Sequence, residues 1–300
     1  MNAVNRQVGV HGIAQRPITS HNPTAKNGRL TTELPTEHCN CNCKNMPSHR
    51  VNFHNAAGTR LGGIVDLPQE GEPRAFALFA HCFTCTKDLK AIVRVSRGLA
   101  KHNIGVLRFD FTGLGDSQGD FSQSNFESNL ADVQAAVGWL TQEHQAPQIL
   151  IGHSLGGAAM MKSCGAIPSA KGIVTLAAPS DTKHLAKFLG SQNPKIESEG
   201  VGEVTIGGRT HTMRKQLLES LANNDLKSAI EKILIPHLIF HSPVDETLAF
   251  RHAEEIFAWT GGPKSLITLD GSDHLLVNQP QDVGYVADLI ATWAGRIFAA

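Results

Sequence analysis

The chain has 300 residues, of which 41% are hydrophobic, and its 27 basic and 27 acidic residues give a formal net charge of zero. That length and hydrophobic content allow one large domain, and the balanced charge argues against nucleic acid or an anionic membrane as a partner. No run approaches the ~20 apolar residues that span a bilayer, and no secretory signal is apparent, so we expect a cytoplasmic protein without a membrane span.

The first 48 residues are rich in Asn, Thr, Pro and His and have no apolar period, which predicts a flexible arm. This arm contains Cys39, Cys41 and Cys43 beside His38. Zinc sites usually space their cysteines by two to four residues, so the one-residue gaps are poor metal geometry and no metal site is predicted. All 6 cysteines are expected to be reduced thiols, because a chain of this length without an export signal rarely uses disulfides.

Residues 49–300 are predicted to form one domain in which strands and helices alternate. A hairpin is expected from residues 51–53 and 59–67. Continuous apolar runs then predict parallel strands that are buried on both faces, at residues 76–80, 105–109, 148–151, 172–176, 237–240 and 266–269. Apolar stripes at helical spacing predict core-facing helices between the strands, and Ser124 with Glu127 predicts a capping box for one of them.

One short motif follows the third of these parallel strands. Gly152-His153-Ser154-Leu155-Gly156 lies between an apolar run and a small-residue helix, and G-x-S-x-G at such a turn is typical of a nucleophile elbow. The glycines are needed because the turn is too tight for side chains on both flanks of a serine whose hydroxyl projects above the sheet. A pattern this short also matches unrelated sequences by chance, so the prediction depends on the strand before the motif and the helix after it. The alternative is a glycine-rich turn with an incidental serine.

The segment at about 180–230 interrupts the alternation of strands and helices. It contains five glycines, an alternating piece at 203–206 and a helical piece at 215–226. Insertions of this length in compact domains are often lids. Because the segment lies between two sheet strands, we predict that it forms a lid over Ser154. The alternative is an insertion that packs against the domain without contacting substrate.

A serine hydroxyl needs a base to become a nucleophile, and the base needs an acid to orient it. Asp245 and His274 each follow a later predicted strand, at the sheet edge where ligands gather. The order Ser, Asp, His is that of the nucleophile-elbow architecture. We therefore predict Ser154 as nucleophile, His274 as base and Asp245 as orienting acid, with Glu246 as the alternative acid.

These motifs resemble the α/β-hydrolase family over roughly residues 50–298. The segments 79–90 and 108–115 are similar, more narrowly, to the hydrolase half of proteins that fuse an α/β-hydrolase to a C-terminal OsmC-like thiol domain. The resemblance implies an α/β-hydrolase fold, with a mostly parallel, doubly wound sheet flanked by helices and carrying a lid insertion. The 300 residues contain no OsmC-like domain, so no function that depends on one is expected.

Acyl transfer also needs preset N–H donors for its tetrahedral oxyanion. The backbone N–H of Leu155 should supply one, because it follows the nucleophile at a helix N-terminus. The resemblance implies a second donor in the loop after residues 76–80, where we predict the N–H of Phe83, with the N–H of Cys82 as the alternative. The remaining residues around the site are expected to line the substrate pocket: His81, Cys82, Cys85 and His153.

Hydrolysis of a carboxylic ester of a small-molecule acyl substrate is the predicted activity. Hydrolysis of an amide, peptide or thioester, as in serine aminopeptidase-like members, is the first alternative. A thiol-based redox or peroxide-response protein using the C-x-x-C of Cys82 and Cys85 is another, although a thioredoxin-like centre needs a fold that is absent here. No cofactor is predicted, and a homo-oligomer is compatible with the sequence.

Overall fold

The computed structural model describes residues 46–299, in which ten strands occur: β1 (Ser48–His54), β2 (Arg60–Asp66), β3 (Ala75–Ala80), β4 (Ile104–Phe109), β5 (Ile149–His153), β6 (Gly172–Leu176), β7 (Val201–Ile206), β8 (Arg209–Arg214), β9 (His237–His241) and β10 (Lys264–Thr268). Eight of these described strands form the central sheet in the order β1-β2-β4-β3-β5-β6-β9-β10. β2 pairs antiparallel with β1 and β4, and the other neighbours in this sheet pair parallel. Such a sheet needs helices on both faces.

The helices of the described residues are α1 (Lys90–Lys101), α2 (Phe126–Glu143), α3 (Leu155–Ser163), α4 (Lys183–Gln192), α5 (Lys195–Ser198), α6 (Lys215–Asn223), α7 (Leu226–Glu231), α8 (Arg251–Trp259) and α9 (Pro280–Phe298). α1 and α9 cover one face of the sheet, where Val95 and Ile290 are fully buried. α2, α3 and α8 cover the other face, where Val133 and Ile256 are fully buried. This doubly wound arrangement confirms the predicted fold class.

The central strands supply both cores at once. Successive residues of a strand point to opposite faces, so Leu78 contributes to one core and Phe79 to the other. Both are at most 1% exposed, and full burial of such a side chain stabilises the fold by about 1.5–3 kcal/mol. β10 is the exception among the predicted parallel strands, because it is not buried on both faces. It lies at the edge of the sheet, with a neighbouring strand on one side, and part of it is half-exposed.

The predicted parallel strands agree with the observed ones to within two residues, and the first hairpin strand starts three residues earlier than predicted, at Ser48. The predicted capping box is wrong. α2 begins one residue later than Ser124 and Glu127 imply, and Asn125 is its N-cap. The Asn125 side chain accepts a hydrogen bond from the Ser128 N–H at 2.8 Å, and the Ser128 hydroxyl accepts from the Asn125 N–H at 3.0 Å. Ser124 instead donates to the Phe121 carbonyl at 2.7 Å. Asn is as strong an N-cap as Ser, and residue type alone does not choose between neighbours.

Most of the predicted arm lies outside the described residues, as do His38 and the three cysteines near it. The last residues of the arm belong to the sheet, because Ser48 starts β1 and the Pro47 carbonyl accepts a hydrogen bond from the Leu67 N–H at 2.9 Å. Among residues 46–299, no helix has both the length and the apolar character that crossing a membrane requires.

The predicted lid segment folds into two helical pairs around the β7–β8 hairpin. It is fixed to the helical layer by hydrogen bonds. The Ser220 hydroxyl accepts from the Phe126 N–H at 2.9 Å, and the Gln216 side-chain amide donates to the Gln123 carbonyl at 2.6 Å. The insertion therefore rests on the N-terminal end of α2, while its role as a lid stays a prediction.

His237 is the first residue of β9 and is completely buried. Its two ring nitrogens lie 3.0 Å from the hydroxyl oxygens of Thr175 and Thr260. Burial lowers the pKa of His237 to about 3, so the ring is neutral in the folded protein at pH values where it would be charged in the unfolded chain.

Replacement of this histidine should reduce the acid sensitivity of the fold. Between pH 6.5 and about 3 the unfolded chain binds a proton at residue 237 that the native protein does not bind. As the pH falls through this window, the free energy of unfolding therefore falls by about 1.4 kcal/mol per pH unit from this residue. Urea titrations between pH 6 and 4 should show a shallower slope for His237→Gln than for the wild type, and equal slopes would contradict the assignment.

Candidate active site

Three side chains meet at the carboxyl edge of the parallel strands. Ser154 follows β5, Asp245 lies after β9, and His274 lies after β10. The Ser154 hydroxyl is 3.0 Å from Nε2 of His274, and Nδ1 of His274 is 2.7 Å from Oδ2 of Asp245. The structure thus brings together the three residues in which the sequence places nucleophile, base and acid, in an order suited to proton transfer.

Ser154 occupies a backbone conformation that few residues adopt. Its φ is 52° and its ψ is −124°, and such a conformation stores about 1–3 kcal/mol and persists only where neighbouring structure enforces it. The enforcing contacts are close. A Cβ on Gly156 would collide with the Ala80 carbonyl oxygen, and a Cβ on Gly157 would lie 2.5 Å from the Cβ of Ala178, just after β6. The glycines therefore allow α3 to start directly against the ends of β3 and β6.

Asp245 is held by backbone donors as well as by His274. Its Oδ1 accepts hydrogen bonds from the N–H groups of Thr247 at 2.8 Å and Leu248 at 2.9 Å. Burial acts to raise the pKa of Asp245, but the hydrogen bond and charge of His274 and these backbone donors outweigh it and lower the pKa. Asp245 is therefore ionised at neutral pH. The alternative acid, Glu246, is exposed and makes no hydrogen bond to His274 in the described structure.

His153 lies behind His274 and supports it. Nε2 of His153 donates to the His274 carbonyl at 2.7 Å, and the ring centroids are 5.2 Å apart. Burial and the neighbouring charge of His274 lower the pKa of His153 to about 3. His153 is therefore neutral at physiological pH. It is 1% exposed. It does not border the surface depression that lies beside Leu155, the residue after Ser154, and that extends to Phe83 and Phe121.

Phe83 and Leu155, the two predicted oxyanion donors, both border that depression. Neither backbone N–H donates a hydrogen bond among the described residues, and the same holds for the N–H groups of Cys82 and Thr84 in the same loop. For Leu155 this follows from its place as the first residue of α3, where no carbonyl one turn earlier is available. Unpaired N–H groups beside a nucleophile are what a developing oxyanion requires.

The loop that carries Phe83 is closed by a disulfide between Cys82 and Cys85. The prediction of reduced thiols is therefore wrong at these two positions. A tight turn, in which the Cys85 N–H donates to the Cys82 carbonyl at 3.1 Å, brings the two Cα atoms to 5.3 Å, within the range that disulfides span. Cys82 borders the depression, whereas Cys85 does not.

His81 precedes this loop and fixes its direction. Its Nδ1 donates to the Cys82 carbonyl at 2.8 Å, and its Nε2 accepts from the Phe111 N–H at 3.2 Å. Burial lowers the pKa of His81, which keeps the ring in the neutral form that both bonds need. His81 borders the depression, and both of its ring nitrogens are engaged in hydrogen bonds to backbone groups.

The other end of the loop is anchored by a buried lysine that the sequence analysis did not identify. Nζ of Lys87 lies 2.8 Å from Asp110 and 2.7 Å from Asp116, and its backbone N–H donates to Asp110 at 2.7 Å. Burial opposes the charge, but these carboxylates raise the pKa of Lys87. Lys87 and Asp110 are both at most 1% exposed. Removal of one partner of such a pair costs about 3–5 kcal/mol because it leaves a buried charge.

No group of three or more His, Cys, Asp or Glu side chains suited to a metal ion occurs within residues 46–299.

Comparison with known proteins assigns this arrangement to a family. The sequence family described as serine aminopeptidase S33 matches residues 71–215. The crystal structure of the esterase domain from a Rhodothermus marinus protein is 36% identical, has a TM-score of 0.67, and aligns over 84% of this chain and 99% of that domain. The chain belongs to the α/β-hydrolase superfamily. It is therefore an α/β-hydrolase enzyme of the serine hydrolase, esterase-like type.

Two further proteins are similar to this chain at lower sequence identity, one by structure and one by sequence. Est1E from Butyrivibrio proteoclasticus, solved with ferulic acid bound, is 20% identical with a TM-score of 0.73 and aligns over 83% of this chain and all (100%) of that chain. The uncharacterized protein YfhR of Escherichia coli K12 is 26% identical over 231 residues, which are 75% of this chain and 72% of YfhR.

The disulfide gives a direct chemical prediction. Iodoacetamide should modify neither Cys82 nor Cys85 in the native protein without reductant, because neither residue carries a thiol. Prior reduction and unfolding should expose both. Peptide mass spectrometry of the 82–85 segment measures this, and alkylation of either residue without reductant would contradict the pairing.

Two glycine substitutions test the packing of the elbow. Gly156→Ala should lower the melting temperature and the ester turnover, because its Cβ would collide with the carbonyl oxygens of Ala80 and His81. Gly138→Ala is the matched control, since a Cβ on this residue of α2 meets nothing within 4 Å. The control should stabilise the helix by about 0.5–1 kcal/mol. Thermal unfolding that ranks the two variants equally would contradict this account of the turn.

Proposed function

We propose that this enzyme hydrolyses carboxylic esters through an acyl-enzyme intermediate on Ser154. The observation that supports this most strongly is the chain of hydrogen bonds from Ser154 through His274 to Asp245, next to the unpaired N–H groups of Phe83 and Leu155. The combination provides a nucleophile, a proton acceptor, an orienting anion and oxyanion donors at one edge of the sheet.

In the first half of the reaction, Oγ of Ser154 attacks the ester carbonyl carbon and its proton passes to Nε2 of His274. The carbonyl oxygen becomes an oxyanion that accepts hydrogen bonds from Phe83 and Leu155. One such donor typically contributes about 2.7–4 kcal/mol to stabilisation of the transition state. The His274 imidazolium, stabilised by Asp245, then protonates the alkoxide oxygen as the carbon–oxygen bond to the alcohol breaks.

In the second half, His274 removes a proton from water while the water oxygen attacks the acyl carbon. The same two N–H groups receive the second oxyanion. His274 then returns the proton to Oγ of Ser154 as the acyl–serine bond breaks, and the carboxylic acid leaves. Asp245 stays ionised throughout, in agreement with its lowered pKa.

The lining of the depression favours an ester over a peptide with a free amino terminus. A carboxylate is the strongest partner for the ammonium group of a free amino terminus, and no acidic side chain of the described residues borders the depression. Its walls are mostly aromatic and aliphatic, which suits a neutral acyl group. The thiol-based alternative is weakened by the burial of Cys82, which is 3% exposed, and by its pairing with Cys85.

We also propose that the insertion between α4 and α7 covers the acyl end of the site. The ring of His211, on β8, contacts the ring of Phe121 with centroids 5.4 Å apart. Phe121 in turn contacts Phe83 at 5.8 Å. We term residues 81–86 the oxyanion loop. The row of ring contacts from His211 through Phe121 to Phe83 connects the insertion with this loop and supports its proposed role as a lid.

Replacement of the nucleophile should abolish the activity while leaving the fold intact. Ser154→Ala removes a hydroxyl that the core does not use, and loss of the nucleophile of such a triad can lower kcat by about 10⁶-fold. The kinetics of 4-nitrophenyl butanoate hydrolysis, with circular dichroism as the folding control, measure this. Turnover within tenfold of the wild type would contradict the serine mechanism.

The two neighbouring acidic residues provide a matched pair of variants. Asp245→Asn should lower kcat by about 10⁴-fold, because an amide no longer holds His274 in the required tautomer. Glu246→Gln should change kcat little, since Glu246 is exposed and lies outside the hydrogen-bond chain. The opposite ranking would show that Glu246 is the orienting acid.

A further inference from the structure

The depression beside Leu155, the residue that follows Ser154, is open to solvent. Its apolar walls come mainly from Phe83, Phe111, Leu114, Phe121 and Leu155.

The position of the depression indicates which half of an ester it receives. His274 protonates the departing alcohol, so the alcohol must leave on the His274 side of the reacting carbon. Neither His274 nor Asp245 borders the depression, whereas the oxyanion donors Phe83 and Leu155 do. The depression therefore lies on the opposite side of the carbonyl and receives the acyl group.

Two polar side chains in this apolar surface have no hydrogen-bond partner within the described residues. They are the amide of Asn129, on the first turns of α2, and the hydroxyl of Thr84, in the oxyanion loop. By contrast, both ring nitrogens of His81, which also borders the depression, are engaged by protein groups. An unpaired amide and hydroxyl that face a substrate site gain a partner only from water or from the substrate itself.

We propose that the acyl subsite selects acyl groups that carry a hydroxyl substituent, with Asn129 and Thr84 as its partners. A hydroxyl both donates and accepts, which matches an amide and a hydroxyl in any of their orientations. A purely aliphatic acyl group would displace water from both side chains and leave them unpaired. This selectivity rests on the proposed esterase function, and it adds the chemical class of the acyl part.

The test compares esters that share a 4-nitrophenol leaving group and differ by one hydroxyl or methyl. One pair has 3-hydroxybutanoyl and 3-methylbutanoyl groups, and a second pair has 4-hydroxybenzoyl and 4-methylbenzoyl groups. Each kcat/KM is divided by the rate constant for hydroxide-catalysed hydrolysis of the same ester, which removes differences in intrinsic reactivity. The wild type should prefer the hydroxylated member of at least one pair.

Variants locate the preference. Asn129→Leu keeps the side-chain size, and Thr84→Val keeps the branched shape at a backbone φ of 59°. Each should lower the hydroxyl-to-methyl ratio of kcat/KM by about three- to tenfold, as expected for the loss of one hydrogen bond. Gln134→Leu makes a comparable amide-to-alkyl change on an exposed residue of α2 and should leave the ratio unchanged.

Preference for the methyl member in both pairs would overturn the proposal from the wild type alone. A ratio that is the same in the wild type, Asn129→Leu and Thr84→Val would also overturn it, and Thr84→Val decides the matter if Asn129→Leu does not fold. Failure of the proposed esterase function would give a different result. The wild type would then hydrolyse none of the four esters, and a fluorophosphonate probe would not label Ser154.

Discussion

The backbone of Ser154 is the constraint on which the rest of the site depends. A φ of 52° at a serine persists only because surrounding structure enforces it. Here the enforcement comes from α3, which starts against the ends of β3 and β6 because its glycines leave no Cβ in the way. Leu155 is the first residue of α3, so its N–H has no helical partner. One strained turn thus provides both the nucleophile and one oxyanion donor.

The loop carrying Phe83, His274 and Asp245 are positioned beside this turn by networks of polar contacts rather than by apolar packing. Lys87 and Asp110 form a buried ion pair that anchors the loop carrying Phe83, and the disulfide closes the loop's tip. On the opposite side, His153 donates to the His274 carbonyl and backbone N–H groups hold Asp245. Buried polar groups of this kind are costly unless fully paired, and paired they specify a single geometry. These contacts position the loop carrying Phe83 on one flank of the nucleophile and His274 with Asp245 on the other, while Nδ1 of His153 has no hydrogen-bond partner among the described residues.

Much of this architecture could be predicted from the sequence because parallel strands buried on both faces leave long apolar runs. The G-x-S-x-G motif and the residues after later strands carry local signals, so the positions of Ser154, Asp245 and His274 at one sheet edge could be anticipated. The capping box at Asn125, the disulfide and the pairing of Lys87 with Asp110 could not. They depend on the folded path of a loop, on contacts between segments that are remote in sequence, or on a one-residue choice between equally good caps. The place of Asn129 at the depression could not be predicted either, since a single Asn on a helix gives no periodic signal.

The central claim is that Ser154 carries the acyl group between two chemical steps. The most direct measurement is a rapid acid quench of the enzyme during turnover of 4-nitrophenyl butanoate, followed by peptide mass spectrometry. The account predicts one butanoyl group on the peptide that contains Ser154, and that group should decay at the rate of turnover. A butanoyl group on Cys82 or Cys85, or ester hydrolysis without any acylated residue, would contradict it.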